Sequence, residues 1–293
     1  MQATRRFLGE ARWHFQHGPI DIVLEADGPP AVVEHALASA WRCFESVLPA
    51  LVQELPALRA PVGSSLGANL QGPVARRMGQ AAQEAAWATP DGFITPMVAV
   101  AGAVAQEVLQ ALVQPGIERA YVNNGGDIAL HLTQGQRFQI GLVRDLQAAL
   151  AGDPRCDLVV DGAFQLSHEM PMRGVATSGW RGRSFSLGIA DSVTVLAQTA
   201  AQADVAATLI ANAVNLEHPD IVRLPANSLR DDTDLGDRRV TVDVPRLPSA
   251  WVARAVQLGL DCAHAMQQRG QLQAAFLCCQ GQVAVAQPLE CLV

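Results

Sequence analysis

Tyr121-Val122-Asn123-Asn124-Gly125-Gly126-Asp127-Ile128 is the stretch that decides how this chain is read. A short apolar strand candidate ends in two asparagines, two glycines and an acid. Consecutive glycines let the backbone pass through φ > 0 and let a ligand approach the amides closely. The same residues also describe a plain hairpin turn. Two downstream pieces complete a pattern with it. One is Val175-Ala176-Thr177-Ser178-Gly179. The other is Ser192-Val193-Thr194-Val195, followed by Ala203-Asp204-Val205-Ala206-Ala207-Thr208. Each alone is weak; the three in this order form a joint signal.

Asp204 and Thr208 stand four apart on a predicted helix, so they share a face. A carboxylate and a hydroxyl there can give two hard oxygen ligands to Mg²⁺. The competing reading is a solvated acid, with Thr208 packed among Ala203, Ala206 and Ala207. Thr177-Ser178-Gly179 can hold a phosphate through hydroxyls and amides, or form an ordinary turn. Ser178 lacks the Gly-x-Ser-x-Gly setting of a nucleophile. Asp191 precedes the Ser-Val-Thr-Val strand and either edges a site or caps a turn. His168-Glu169 is either an acid/base pair or a surface polar pair. His14, His17 and His35 have no partner that spacing picks out.

In 293 residues, 49% are apolar and 17% charged, which implies a large core. Net charge is −7, against a nucleic-acid partner; Arg76-Arg77 and Arg238-Arg239 are too short for a basic patch. Arg5-Arg6 is followed by Gly9-Glu10-Ala11-Arg12 instead of an apolar run, so no secretory signal is read. The most apolar stretch, 97–105, is too short to span a bilayer. Cys43, Cys156, Cys262, Cys278, Cys279 and Cys291 include no C-x-x-C pair, which points to buried free thiols. A cytoplasmic protein with no membrane partner is expected, with a homo-oligomer left open.

Strands are predicted at 20–25, 120–122, 128–133, 138–143, 174–176, 192–197 and 238–244. Helices are predicted at 31–51, 74–88, 97–113, 199–214 and 250–268, the last capped by Ser249. Residues 49–73 read as loop. Leu158-Val159-Val160 and 163–166 flank Asp161-Gly162 as a hairpin, and 274–279 with 283–286 form another, turning at Gln280-Gly281. The expectation is an α+β protein, one compact domain over 1–293, with mixed β-sheet hairpins and packed helices.

The order Asn-x-Gly-Gly-Asp, Ala-Thr-Ser-Gly, Ser-Val-Thr-Val and Ala-Asp-x-x-Ala-Thr resembles the ApbE superfamily, the FAD:protein FMN transferases once called thiamine biosynthesis lipoproteins. A shorter cytosolic branch looks closest. It shares Thr-Pro-Met-x-Ala-Val-Ala-Gly-Ala (95–103), Val-x-Asn-Gly-Gly-Asp-Ile (122–128) and Gly-x-Ser-x-Ser-x-Gly-x-Ala-Asp (182–191). The resemblance implies that Asn124, Gly125, Gly126, Asp127, Thr177, Ser178 and Gly179 line an FAD-like site. It implies that Asp204 and Thr208 bind Mg²⁺ (or Ca²⁺), with a main-chain carbonyl from 98–102 as third protein ligand. The ligand it implies is a small phosphate-bearing molecule.

Two departures bear on activity. The transferases carry a catalytic histidine in His-x-x-Asp-Pro-x-Thr-Gly, whereas 180–191 holds none here. A lysine-glycine pair of the transferases is replaced within Val100-Ala101-Gly102-Ala103. The resemblance therefore implies a retained binding scaffold without that acid/base group. Asp191, Asp127 and His168 are the candidate acid/base residues. Three functions stay open: an Mg²⁺-dependent enzyme on a phosphate-bearing cofactor, a non-catalytic flavin-binding module, and FMN transfer with a substituted base. For the first, genes of this branch imply a link to tetrahydromethanopterin one-carbon metabolism.

Overall fold

The computed structural model describes residues 2–67, 69–142 and 162–286. Its elements are β1 (Thr4–Gly9), β2 (Arg12–His17), β3 (Ile20–Asp27), α1 (Pro30–Gln53), α2 (Leu55–Leu58), α3 (Pro73–Ala85), α4 (Val100–Leu112), β4 (Arg119–Asn124), β5 (Asp127–Leu132), β6 (Arg137–Leu142), β7 (Gly162–Ser167), β8 (Gly174–Ser178), β9 (Ser192–Ala197), α5 (Ala200–Ala213), β10 (Val222–Pro225), α6 (Ala226–Leu229), β11 (Arg239–Asp243), α7 (Ser249–Gln268), β12 (Ala274–Cys279) and β13 (Gln282–Ala286).

Nine strands make one sheet in the order β1-β2-β3-β4-β5-β8-β9-β12-β13. Its pairings are antiparallel throughout. One face carries α1, α4, α5 and α7 side by side. The other is partly covered by the β6–β7 ribbon, a separate two-stranded sheet. Strand alternation sorts residues between the faces. Ala120, Val122, Ala129, Ala176, Val193 and Val195 join the core under the helices. Leu130, Leu132, Val175 and Leu196 join a smaller core with Phe164 and Leu166 of β7. The architecture is α+β, as the alternation of helical and strand patterns predicts.

α1 shows why this helix forms where it does. Ala36, Ala40, Phe44, Val47 and Leu51 recur at helical spacing and are buried. Burying Phe44 alone contributes about 1.5–3 kcal/mol. That stripe carries the helix through Pro49 to Gln53, although a loop is expected from Pro49. α5 has buried residues on all sides, and Asp204 is its one charged residue. The backbone at its start is gripped from two directions. A Cβ on Gly102 of α4 would collide with the Ala200 carbonyl, and one on Gly174 of β8 with the Thr199 carbonyl. At its other end, a Cβ on Gly188 would collide with the Ala211 carbonyl.

Other expectations need correction. β1 and β2 form a hairpin that periodicity does not predict, turning through Glu10 and Ala11 at positive φ. β6 leaves the sheet after Gln134-Gly135-Gln136 and pairs with β7. The expected loop at 49–73 contains α2. Ser249 is the first residue of α7 and makes no capping bond; Pro248 holds the cap position. The strand expected at Leu158-Val159-Val160 lies outside the described residues, as do Cys156 and Cys291. Cys43, Cys262 and Cys279 are free thiols. Burial pushes the first two up to about 11 and Cys279 to about 12, which leaves them inert at neutral pH.

Candidate functional site

Asn124 sits opposite Asp127 across the β4–β5 hairpin, so Gly125-Gly126 is its two-residue turn. Both glycines have positive φ, +69° and +113°, which such a turn requires and other residues resist. The Gly126 amide donates to Asn123 Oδ1 at 2.8 Å, so that amide is engaged within the turn. A Cβ on Gly126 would meet nothing within 4 Å, leaving open space above it. A Cβ on Gly125 would instead collide with the guanidinium of Arg183. Asn124 is buried, and its Nδ2 donates to the Ala101 carbonyl at 3.1 Å. The turn is thereby tied to α4.

Asp204 reaches α4 from the neighbouring helix. Its Oδ2 accepts from the Gly102 amide at 2.9 Å, and the Ala101 amide also bonds the carboxylate. These are the second and third residues of α4, which has no side-chain cap of its own. Their amides belong to the first turn, where intrahelical acceptors are lacking. Asp204 therefore caps α4 from outside it.

Asp127 lies on the helix-facing side of β5, with Ala129. Burial pushes its carboxyl up to about 7, while the Thr177 amide and the Arg183 charge pull the other way. Asp204 is raised well above the ordinary carboxylate range, first by burial and then by the charge of Asp127. Two interacting carboxylates, one buried and one partly so, do not both ionise without a compensating cation or a retained proton.

Thr208 stands one turn beyond Asp204 on α5, half-buried and on the same face. The Thr177 hydroxyl pairs with that of Thr194 at 2.9 Å on the sheet face away from the helices; its amide is what meets Asp127. The Ser178 side chain alternates to the helix-facing side. Gly179 packs so closely on the Asp191 carbonyl that a Cβ would collide with it.

Asp191 sits one strand further on. Its Oδ2 accepts from the Gln280 amide at 2.5 Å, and its Oδ1 lies 3.4 Å from Trp180 Nε1. That carboxylate holds the β12–β13 turn, where Gln280 has φ +45°. His168 does not join the group: its Nδ1 lies 2.8 Å from the Leu132 carbonyl, at the far end of β5 from Asp127. Five residue steps along the strand separate those ends by about 17 Å.

Arg183 is the residue that sequence reasoning missed. It lies on the exposed part of the 180–191 segment, whose ends are fixed by Trp180 N–H to the Ala190 carbonyl and Thr241 N–H to the Ser186 carbonyl. A shortened segment carrying a basic residue was the available signal.

A cleft of about 560 Å³ opens elsewhere, lined in part by Asn215, His218, Arg223 and Arg238. Arg238 there pairs with Asp91, and Arg223 lies 3.9 Å from Glu217 and donates to Asn215 Oδ1 at 2.5 Å. The Asp127–Asp204 pair stands with the Gly125-Gly126 turn of the motif and is the stronger candidate. Among the described residues, no three of His, Cys, Asp and Glu gather as a metal cluster. Any cation there needs hydroxyl, carbonyl or ligand oxygens as well. No described helix is long and apolar enough to cross a membrane.

Comparison with known proteins agrees with the motifs. A UPF0280 protein of Methanopyrus kandleri is 32% identical over 72% of this chain and 78% of its own length. One from Methanothermobacter thermautotrophicus is 38% identical over 48% of this chain and 50% of its own length. The chain thus matches about half the length of the latter relative. The apo Pseudomonas stutzeri flavinyl transferase ApbE superposes with a TM-score of 0.45 at 14% identity, over 98% of this chain and 94% of that one. So distant a likeness carries no weight for function. A family profile described as AbpE bacteria matches residues 4–285, so the resemblance to the ApbE superfamily is borne out and the chain belongs to that family.

Proposed function

We propose that this protein binds a phosphate-bearing flavin nucleotide, FAD-like, together with a divalent cation. The observation that carries the reading is the pairing of the buried Asp204 with the partly buried Asp127, beside the Gly125-Gly126 turn. Such a pair is accommodated by a retained proton or by a cation, and we take the cation. The donors fit a hard one: Asp204 and Thr208 from α5, oxygen ligands only. Mg²⁺ is usually held by one or two carboxylates, waters and the phosphates of its ligand, and Ca²⁺ takes similar oxygens. When bound, the cation would neutralise phosphate charge. Asp127, with a carboxyl near 7, is suited to hold or take a proton next to a phosphate ester. The family motifs support the flavin, and a role in cofactor biosynthesis linked to tetrahydromethanopterin one-carbon metabolism is part of the same reading.

A second reading is a flavin-binding protein without catalysis. One observation favours it. The 180–191 segment holds no histidine, and the Asp191 carboxylate is already taken by the Gln280 amide.

Calorimetric titration of FAD in Mg²⁺ and again in EDTA tests binding. Mg²⁺-dependent heat is expected, and equal binding in EDTA overturns the metal role. Incubation with FAD and a threonine-bearing acceptor peptide, read by mass, separates enzyme from module.

A further inference from the structure

We propose that Arg183 is the phosphate-recognising residue of this site, its guanidinium standing over Gly125 to take an oxygen of a phosphate ester or anhydride. The proposal rests on the flavin-nucleotide reading for the location of the ligand.

Three observations carry it. First, the turn is a poor anion cradle by itself, because the Gly126 amide already donates to Asn123 Oδ1. Second, Asp127 acts on Asp204, and whichever of these two carboxyls ionises repels a phosphate unless a cation faces it. Third, Arg183 is the side chain that lies against Gly125 and acts electrostatically on Asp127, with open space beside it over Gly126. Its exposure leaves donors of the guanidinium fork facing solvent. A planar fork matches phosphate oxygens in a way that a lysine does not.

The absence of a side chain at Gly125 is what allows this placement. Any Cβ there would displace the guanidinium. Gly125 and Arg183 therefore form one device, and changing either should produce the same defect.

The test measures dissociation constants for pyrophosphate, FAD and riboflavin, each with Mg²⁺, in the full chain. Arg183→Ala should weaken pyrophosphate and FAD by about 10- to 150-fold, the range for hydrogen bonds to charged groups. Riboflavin, which carries no phosphate, should bind as in the unmodified protein. Arg183→Lys should recover only part of the loss. Gly125→Ala should weaken pyrophosphate in the unmodified background and have no further effect on Arg183→Ala. Circular dichroism verifies that each variant is folded. Pyrophosphate affinity within twofold for Arg183→Ala overturns the proposal, as does an equal Gly125→Ala loss in both backgrounds. Pyrophosphate binding that depends on Arg183, with no FAD binding by the unmodified protein, upholds Arg183 and overturns the flavin reading alone.

Discussion

The Gly102 amide and Asp204 Oδ2, 2.9 Å apart, join the first turn of α4 to the middle of α5 through a buried carboxylate. That bond gives Asp204 two roles, one structural and one in the proposed site. Substitutions can separate them.

Asp204→Asn keeps an oxygen for the Gly102 amide and removes the charge. In chelator, its thermal midpoint should rise above that of the unmodified protein, because a carboxyl whose ionisation is opposed by burial and by Asp127 is replaced by a neutral amide. Each kcal/mol relieved corresponds to about 2–4 °C for chains somewhat shorter than this one. Stabilisation by Mg²⁺ should vanish in the same variant. Differential scanning fluorimetry with and without Mg²⁺ reads both effects, and undiminished Mg²⁺ stabilisation would remove Asp204 from the metal site.

The raised carboxyl of Asp127 makes stability depend on pH. Its folded value, about 7, lies above the ordinary 3.8, so the folded chain holds the proton more tightly. That contribution is complete below about pH 4 and is lost as pH rises through about 7. In chelator, the stability of the unmodified protein relative to Asp127→Asn should therefore fall across that window. Parallel urea-unfolding profiles at each pH would contradict this.

Gly102→Ala should be costly. Its Cβ would strike the Ala200 carbonyl, and overpacking of this kind costs about 1–3 kcal/mol or more. Gly126→Ala meets open space and should cost only the strain of its positive φ, about 1–2 kcal/mol. Urea midpoints should rank the two in that order.

Asp191→Ala removes a charged acceptor from the Gln280 amide and should destabilise by about 1.5–3 kcal/mol. FAD affinity should stay within about twofold, since that carboxylate is directed to the β12–β13 turn. No robust covalent FMN labelling of an acceptor peptide is expected from the unmodified chain. Labelling that appears and is lost in Asp191→Asn would make Asp191 the base.

Periodicity located α1 and β3 because their buried positions repeat at helical or strand spacing. It missed β1, whose residues are nearly all exposed, and β10, a four-residue strand ending in proline. The departure of β6 toward β7 is a tertiary choice that no local pattern encodes. At the site, the motifs named the residues around the β4–β5 turn. They did not show that the Gly126 amide is engaged, that the Thr177 hydroxyl faces the other side of the sheet, or that Arg183 covers Gly125. Each of these depends on which neighbour a side chain meets, and spacing along the chain does not specify that.

The glycines that grip α5 set the terms for moving this site into another scaffold. A graft carrying only Asp127, Asp204 and Thr208 would leave the helix free to slide or tilt. A shift of one ångström would take the two carboxyls out of reach of the cation proposed for them. The transplantable unit must include Gly174 and Gly102, which pack on the consecutive Thr199–Ala200 and Ala200–Ala201 peptides, and Gly188 against the far end. For a designer, these three positions without side chains are part of the active component.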